Sequence, residues 1–482
     1  MFDLRPVGYV LGLLVSALGA TMLLPMGIDM FVGNGHWLIF AESALLTFVL
    51  GVLLTLACAN SVSGGLSLRQ TFLMTTGVWL VLPVFGALPF MFGATEARYV
   101  DAFFEAMSGM TTTGSTVFEA LEALPEGLLF WRGMLQWFGG VGIIVVAMAF
   151  LPALRVGGMQ IFRSEGFDTF GKILPRATDI ARRISVIYLM LTVICAGVYG
   201  TMGMGSFDAI VHAMTTIATG GFANADASFA VFGPGVEYAA VMFMILAAMP
   251  FVRYVQLIAG SARPLWQDSQ VRAFLTTIAL LVVVMAAWLS LGQGHATEPA
   301  FRKALFNIVS IVTGTGYASA DYMQWGPFAM VLFFFAGLIG GCAGSTSCSI
   351  KVFRYQLLLA SISTRIRQFH APHGVFDSRY QGRPVPEDVL NSVMAFFVLF
   401  FVTLGVVAIV LGLTGLDLIT SVSGAAAALG NIGPGLGPII GPAGSFADIN
   451  DAAKWILSAT MLVGRLELMA VFVLFTAAFW RG

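Results

Sequence analysis

Apolar residues cluster along this chain in ten stretches, each of about 20 positions and so long enough to cross a bilayer as a helix. They fall at 7–30, 37–58, 71–92, 128–152, 184–204, 236–260, 274–291, 328–359, 389–413 and 455–479. Four times, a shorter amphipathic segment between two such stretches runs into a tetrapeptide rich in Thr, Gly or Asn that closes on glycine. The copies are 101–114 (DAFFEAMSGMTTTG), 208–221 (DAIVHAMTTIATGG), 303–316 (KALFNIVSIVTGTG) and 420–433 (TSVSGAAAALGNIG), all 14 residues long. Core packing sets no fixed register between glycines so far apart, whereas one supersecondary unit used four times around an axis does. The pattern predicts an all-α polytopic membrane protein with four pseudo-symmetric repeats, each a helix, a re-entrant pore helix and a second helix, around one pore.

Composition agrees. Only 10% of residues are charged and 58% are hydrophobic, and a mean hydropathy of +0.90 makes lipid the solvent for most of the surface. The first stretch has no small-residue cleavage site with polar sequence behind it, so it reads as a retained helix. With the N-terminus in the cytoplasm, the basic residues sort cleanly. Arg5, Arg69, Arg155, Arg163, Lys172, Arg176, Arg182, Arg183, Arg253, Arg263, Arg272, Lys351, Arg354, Arg365, Arg367, Arg379, Arg383 and Arg481 fall inside; only Arg98, Arg132, Arg302, Lys303 and Lys454 fall outside. The outer segments carry Glu96, Asp101, Glu105, Glu119, Glu122, Glu126, Asp226, Glu237, Asp448 and Asp451, and acidic vestibules draw cations. The inner stretches 155–183 and 361–383 are the longest and read as basic loops that meet an acidic partner or anionic membrane lipid. Cys58, Cys195, Cys342 and Cys348 lack a disulfide framework spacing, and Pro372 between His370 and His373 argues against a helical metal pair.

A re-entrant loop is tolerated in a membrane only where protein surrounds it or water fills the cavity it lines, so four of them imply a shared central cavity. The tetrapeptides are Thr111, Thr112, Thr113, Gly114; Ala218, Thr219, Gly220, Gly221; Thr313, Gly314, Thr315, Gly316; and Gly430, Asn431, Ile432, Gly433. None holds a carboxylate or a lysine, which leaves backbone carbonyls and threonine hydroxyls as ligands, hard oxygens suited to a dehydrated alkali cation. Successive carbonyls point one way only if some residue adopts positive φ, which glycine does without strain. The partly negative C-terminal ends of the short helices favour a cation at the same place.

On these tetrapeptides, on FWRGMLQWFGGVGII (130–144), GGCAGSTSCSIKVFR (340–354), NIGPGLG (431–437) and VGRLEL (463–468), the chain resembles the Trk/Ktr/HKT superfamily of potassium transporters, most closely its bacterial Trk-type potassium uptake proteins. The likeness covers nearly the whole chain. It implies that Gly114, Gly221, Gly316 and Gly433 are filter glycines, and that potassium is preferred, with rubidium accepted and sodium less so. It implies a homodimer in the bacterial inner membrane, both termini cytoplasmic, above TrkA-like nucleotide-binding regulatory subunits. The first two apolar spans become an extra pair (1–65) beside repeats at 66–176, 177–268, 269–376 and 377–482. With one filter glycine per repeat, unlike the T-V-G-Y-G of tetrameric potassium channels, selectivity should be the weaker.

Two features read as gates. Gly337, Gly340, Gly341, Ala343, Gly344, Ser345, Thr346 and Ser347 place helix-poor residues in mid-span, and their near-continuous run differs from the every-fourth spacing of a packing face. The resemblance makes this an intramembrane loop that obstructs the pore, stiffened here by Ser347, Cys348 and Ser349. Arg465 lies about ten residues into the last span, where a charge needs a partner or water; the resemblance makes it a positive barrier beneath the filter. Glu467, two positions on, points to another face. Arg132 and Gln136, one turn apart, read as braces of the outer pore end.

The function expected is gated, channel-like potassium uptake, with a proton- or sodium-coupled symporter as the alternative. A mid-span carboxylate pair suited to a proton relay is missing. Zinc-protease spacing, paired intramembrane histidines and a Ser/His constellation are missing too, which removes most of the ground for a membrane enzyme or redox subunit. A passive scaffold leaves the repeats unexplained. No covalently bound cofactor and no nucleic-acid partner are expected, K+ being the transported ion.

Overall fold

The computed structural model of the protein describes residues 3–61, 66–149 and 177–481. It is built almost wholly of helices. Among the described residues, six runs are long and apolar enough to cross a membrane: Arg5–Val32, Trp37–Cys58, Leu68–Phe92, Ala181–Thr201, Ser269–Gly292 and Glu387–Leu413. The first run contains α1 (Arg5–Thr21) and α2 (Leu23–Val32), and the second is α3 (Trp37–Cys58). α1 meets α3 through small residues. A β-carbon on Gly12 would sit 2.8 Å from the Gly51 carbonyl, and one on Gly51 would sit 2.5 Å from the Ser16 amide, the close backbone approach that small residues permit where lipid gives helices no hydrophobic reason to associate.

Four successive units follow, each a long helix, a short helix ending at a tetrapeptide, and a second helix. In the first, α4 (Leu68–Gly86) opens on a capping box between Ser67 and Gln70, and α5 (Leu88–Phe92) leads to the short α6 (Tyr99–Met110) and to α7 (Glu126–Ala149). The expected end of that last span, at 152, and the basic stretch Arg155, Arg163, Lys172 and Arg176 lie outside the described residues. The second unit is α8 (Ala177–Thr201), the short α9 (Ser206–Ile217) and α10 (Pro234–Ala247). α10 bends by 92° into α11 (Phe251–Ile258). The straight span expected at 236–260 is thus a right-angled corner: Pro250 has no N–H to continue a helix and disfavours helical backbone at the residue before it. α12 (Arg263–Gln267) follows.

The third unit comprises α13 (Ser269–Ala287), the short α14 (Thr297–Val312), and two helices, α15 (Pro327–Gly337) and α16 (Val352–His370), parted by loop 338–351. α16 carries helix through the first part, 361–370, of what the sequence presents as the inner loop 361–383; an irregular stretch then leads to a hairpin, β1 (Arg379–Tyr380) against β2 (Arg383–Pro384). Its two-residue turn places Gln381 and Gly382 at φ 50° and 80°, the pairing that suits strand twist.

The fourth unit is α17 (Glu387–Leu413), the short α18 (Leu418–Gly430) and α19 (Asp451–Arg465). Asp417 caps α18 by accepting from the Ile419 and Thr420 amides at 2.9 and 3.1 Å. The straight span expected at 455–479 breaks instead at Arg465: the chain bends 105° into α20 (Met469–Phe472), ahead of α21 (Ala477–Arg481), with Glu467 and Leu468 at positive φ in the break. No disulfide joins the four cysteines.

Candidate functional site

The four tetrapeptides, a hundred residues apart in sequence, meet in one ring. A β-carbon on Gly114 would lie 2.1 Å from the Gly220 carbonyl oxygen, one on Gly221 would lie 1.8 Å from that of Thr315, one on Gly316 would lie 2.7 Å from the Gly433 amide, and one on Gly433 would lie 3.1 Å from the Gly114 carbonyl. First loop touches second, second third, third fourth and fourth first, so the ring closes. In the first three loops the second and fourth positions are left-handed: Thr112 and Gly114 (φ 52° and 86°), Thr219 and Gly221 (49° and 77°), Gly314 and Gly316 (76° and 83°). This alternation re-aims successive peptide groups and uses glycine where strain would be greatest. The fourth loop departs from the expectation. Asn431 is left-handed at φ 50°, but Gly433 is not, so glycine stands there for the sake of space alone.

All but one of the threonine hydroxyls are engaged within the protein. Thr111 Oγ1 donates to Met107 O at 2.7 Å and lies 2.7 Å from Thr113 Oγ1; Thr313 and Thr315 repeat the pair at 2.8 Å, with Thr313 Oγ1 donating to Ser310 O. Thr219 Oγ1 donates to Ala218 O. Thr112 Oγ1 is buried without a hydrogen-bond partner. Loops two and four carry no such pair, since Ala218 packs against Gly140 and Ile432 against Gly337 and Gly430. Asn431 instead links loops: its Nδ2 donates to Thr113 Oγ1 at 3.0 Å and to Met461 O at 2.9 Å. Ser115 Oγ donates to Gly433 O at 2.7 Å, a link from loop one to loop four that one serine among many did not advertise.

Arg132 and Gln136 do brace these loops, from α7. Gln136 Nε2 donates to Gly220 O at 2.6 Å, and Arg132 donates to Ala223 O at 2.8 Å while pairing with Glu105 of α6 at 2.8 Å. Glu105 also accepts from Val117 N and Thr116 Oγ1. Both members of this ion pair are buried. Arg132→Ala strands an uncompensated carboxylate and is expected to cost about 3 to 5 kcal/mol, read as a lowered melting temperature, with Glu105→Gln/Arg132→Met recovering most of it.

On the glycine side of the ring opens a cavity of about 410 Å³, lined by all four closing glycines together with Glu119, Asp226 and Asp448. Every one of the five basic residues expected on this side is neutralised. Arg98 pairs with Asp101 and Asp451, Arg132 with Glu105, Arg302 with Glu237 and Glu298, Lys303 with Glu237, and Lys454 with Asp101. The hydrogen bond from Arg302 holds the exposed Glu298 carboxyl below its ordinary range. Asp101, Glu105, Glu237 and Asp451 are therefore structural rather than free attractors, which leaves the vestibule carboxylates as its unneutralised charge.

Loop 338–351 packs against the opposite side of the ring. A β-carbon on Gly314 would sit 3.7 Å from the Cys348 amide and 3.9 Å from Ser347 Oγ. The loop is pinned from several elements: Cys342 N donates to Ala248 O, Thr346 Oγ1 to Ala247 O, Ala343 N to Gln270 Oε1, and Phe251 N to Gly344 O. Internally, Gly340 N reaches Ile350 O, Ser345 Oγ reaches Cys342 O, and Gly341 N donates to Ser347 Oγ. Arg465, buried, reaches across: its guanidinium contacts Cys348 Sγ, approaches Thr346 O at 3.4 Å and donates to Gly139 O of α7 at 2.8 Å. Glu467 turns away, as its position predicts, to Arg354 and Lys351. That cluster lay unread in the motif 340–354 because nothing local pairs residues a hundred positions apart.

The TrkH family profile, described as a cation transport protein, matches residues 38–481. The Trk system potassium uptake protein TrkI of Halomonas elongata is 43% identical over 450 residues, covering 92% of this chain and 91% of that one. The Trk system potassium uptake protein TrkH of Salmonella typhimurium is 37% identical, with 99% of both chains covered. The crystal structure of the potassium transporter TrkH from Vibrio parahaemolyticus superposes on the whole of this chain with a TM-score of 0.90 at 34% identity. Whole-length similarity of this degree, on a chain whose glycine loops close a ring between an acidic vestibule and a buried loop, places the protein in the TrkH family of cation transport proteins, a family of transporters and not of enzymes.

Proposed function

We propose that this chain takes up potassium across the bacterial cytoplasmic membrane through a gated, channel-like pore. The observation that carries this reading is the closed ring of four glycine loops at the floor of an acidic vestibule. Main-chain carbonyls of residues 111–114, 218–221, 313–316 and 430–433 supply the ligands that replace water around the ion, apart from those of Gly220 and Gly433, which Gln136 and Ser115 hold. Rubidium passes as well, and sodium less readily. Loop 338–351, with Gly340, Gly341, Gly344, Ser345 and Thr346, is the gate, and Arg465 is both its latch and an electrostatic barrier below the ring. Repeats at 66–176, 177–268, 269–376 and 377–482 surround the pore, with 1–65 outside it and both termini cytoplasmic. Competition between rubidium and sodium for uptake into liposomes holding the purified protein tests the reading: equal inhibition by sodium and potassium is incompatible with it.

Regulation by TrkA-like nucleotide-binding subunits acting on a homodimer completes the proposal. α16 leaves the loop directly and ends with Arg365 and Arg367 exposed, so a partner seated on them has a rigid lever to the gate. Charge reversal at both positions is expected to weaken capture of the regulatory subunit several-fold in a pull-down; unchanged capture would leave these arginines as topology determinants only.

A further inference from the structure

Loop two is the only one of the four tetrapeptides with glycine at its third position, and the structure gives the reason. A β-carbon on Gly220 would fall 2.4 Å from Cδ of Gln136. The missing side chain makes the seat for that glutamine, which is itself fully buried. Gln136 uses both ends of its amide there: Nε2 donates to Gly220 O at 2.6 Å and Oε1 accepts from Phe222 N at 3.0 Å. A primary amide presents a donor and an acceptor side by side, so the two peptide groups flanking the ring glycine Gly221 are held as a neighbouring strand would hold them. Gly220 O is also the atom that a β-carbon on Gly114 would strike. The direction that Gln136 imposes on this carbonyl therefore sets how closely loop two stands against loop one.

We propose that Gln136 is a selectivity-determining positioning residue: it never meets the ion, but by fixing the Gly220 and Phe222 peptides it sets the width of the ring, and so the preference for potassium over the smaller sodium. This rests on the reading of the ring as the ion filter. On the size-fit account of ion filters, a ring free to relax inward would serve sodium better, because its carbonyls could follow the smaller ion. Gln136 stiffens the one loop whose own third residue has no side chain to anchor it.

The test uses full-length protein in liposomes and compares initial potassium and sodium uptake. Gln136→Met keeps the length and removes both hydrogen bonds; the potassium-to-sodium ratio should fall about tenfold, equivalent to ~1.4 kcal/mol, while potassium uptake itself changes less. Gln136→Glu adds a readout that a merely structural role would not move. Protonated, its carboxyl still donates to Gly220 O, and the ratio should approach wild type in acid; ionised, it turns an acceptor toward that carbonyl, and the ratio should fall in alkali, where wild type and Gln136→Met stay flat. A wild-type ratio in Gln136→Met overturns the proposal; if that variant is not recovered folded, a pH-independent ratio in Gln136→Glu does so. Gly221→Ser is measured alongside. If it lowers the ratio while the Gln136 variants do not, the inference fails and the filter survives; if none of the variants moves the ratio, the filter assignment fails with it.

Discussion

Arg465→Ala is expected to raise potassium flux by roughly 30-fold, the factor that corresponds to about 2 kcal/mol, which is the repulsion of two unit charges about 8 Å apart at an effective dielectric of about 20. The guanidinium cannot be deprotonated in a protein. The nearest carboxylate in sequence, Glu467, is committed to Arg354 and Lys351, while the partners of Arg465 are two carbonyls, a thiol and the Trp79 ring, 5.3 Å away, which orient the charge without a counter-charge to cancel it. The same contacts tie loop 338–351 to α7, so the substitution removes barrier and latch together. An arginine needed chiefly for folding gives the opposite result, since its loss strands buried acceptors and costs stability. Liposome flux measured beside melting temperature separates the two: faster flux at nearly unchanged melting is expected, and flux and melting that fall together would contradict the barrier.

The second large effect is a graded one around the ring. Gly114→Ser and Gly221→Ser each place a side chain within about 2 Å of a neighbouring carbonyl oxygen, at 2.1 and 1.8 Å from their β-carbons, on left-handed backbone; the backbone strain alone is about 1 to 2 kcal/mol. Gly316→Ser is left-handed too, with its contact at 2.7 Å. Gly433 has ordinary backbone and a contact at 3.1 Å, which a small shift relieves. The potassium-to-sodium ratio should fall most for Gly114→Ser and Gly221→Ser, next for Gly316→Ser, and least for Gly433→Ala. Selectivity that drops equally at all four positions would mean that glycine is required for one common reason, against the geometry.

The repeat was legible because its signal is redundant: the same length, apolar helix and closing glycine appear four times, and each copy lands where the register puts it. The unwound segment in the eighth span was legible for a similar reason, a run of residues unsuited to a continuous helix. The corner at Pro250 and the break after Arg465 were not. One proline near the end of a long apolar stretch is compatible with a kink or a stop, and the positive φ of Glu467 and Leu468 runs against the ordinary preference of both residue types. Charge was half readable. The sign of each outer residue was plain, but which carboxylates were consumed by Arg98, Arg132, Arg302, Lys303 and Lys454 depends on helices that meet only after folding. Lys303 and Asp101 open their respective copies at the same register position, and each reaches a partner of opposite sign on a second helix, Glu237 or Lys454. One contact is thus kept with its charges exchanged, which no single copy of the repeat could reveal.

Passive, gated permeation of potassium through the glycine ring can be measured as rubidium influx into liposomes with membrane potential and pH gradient clamped separately. The initial rate should follow the potential, be competed by potassium more than by sodium, and stay constant when a pH or sodium gradient is imposed at fixed potential. Rubidium accumulation driven by a proton or sodium gradient at zero potential would contradict it, and would make the protein a symporter.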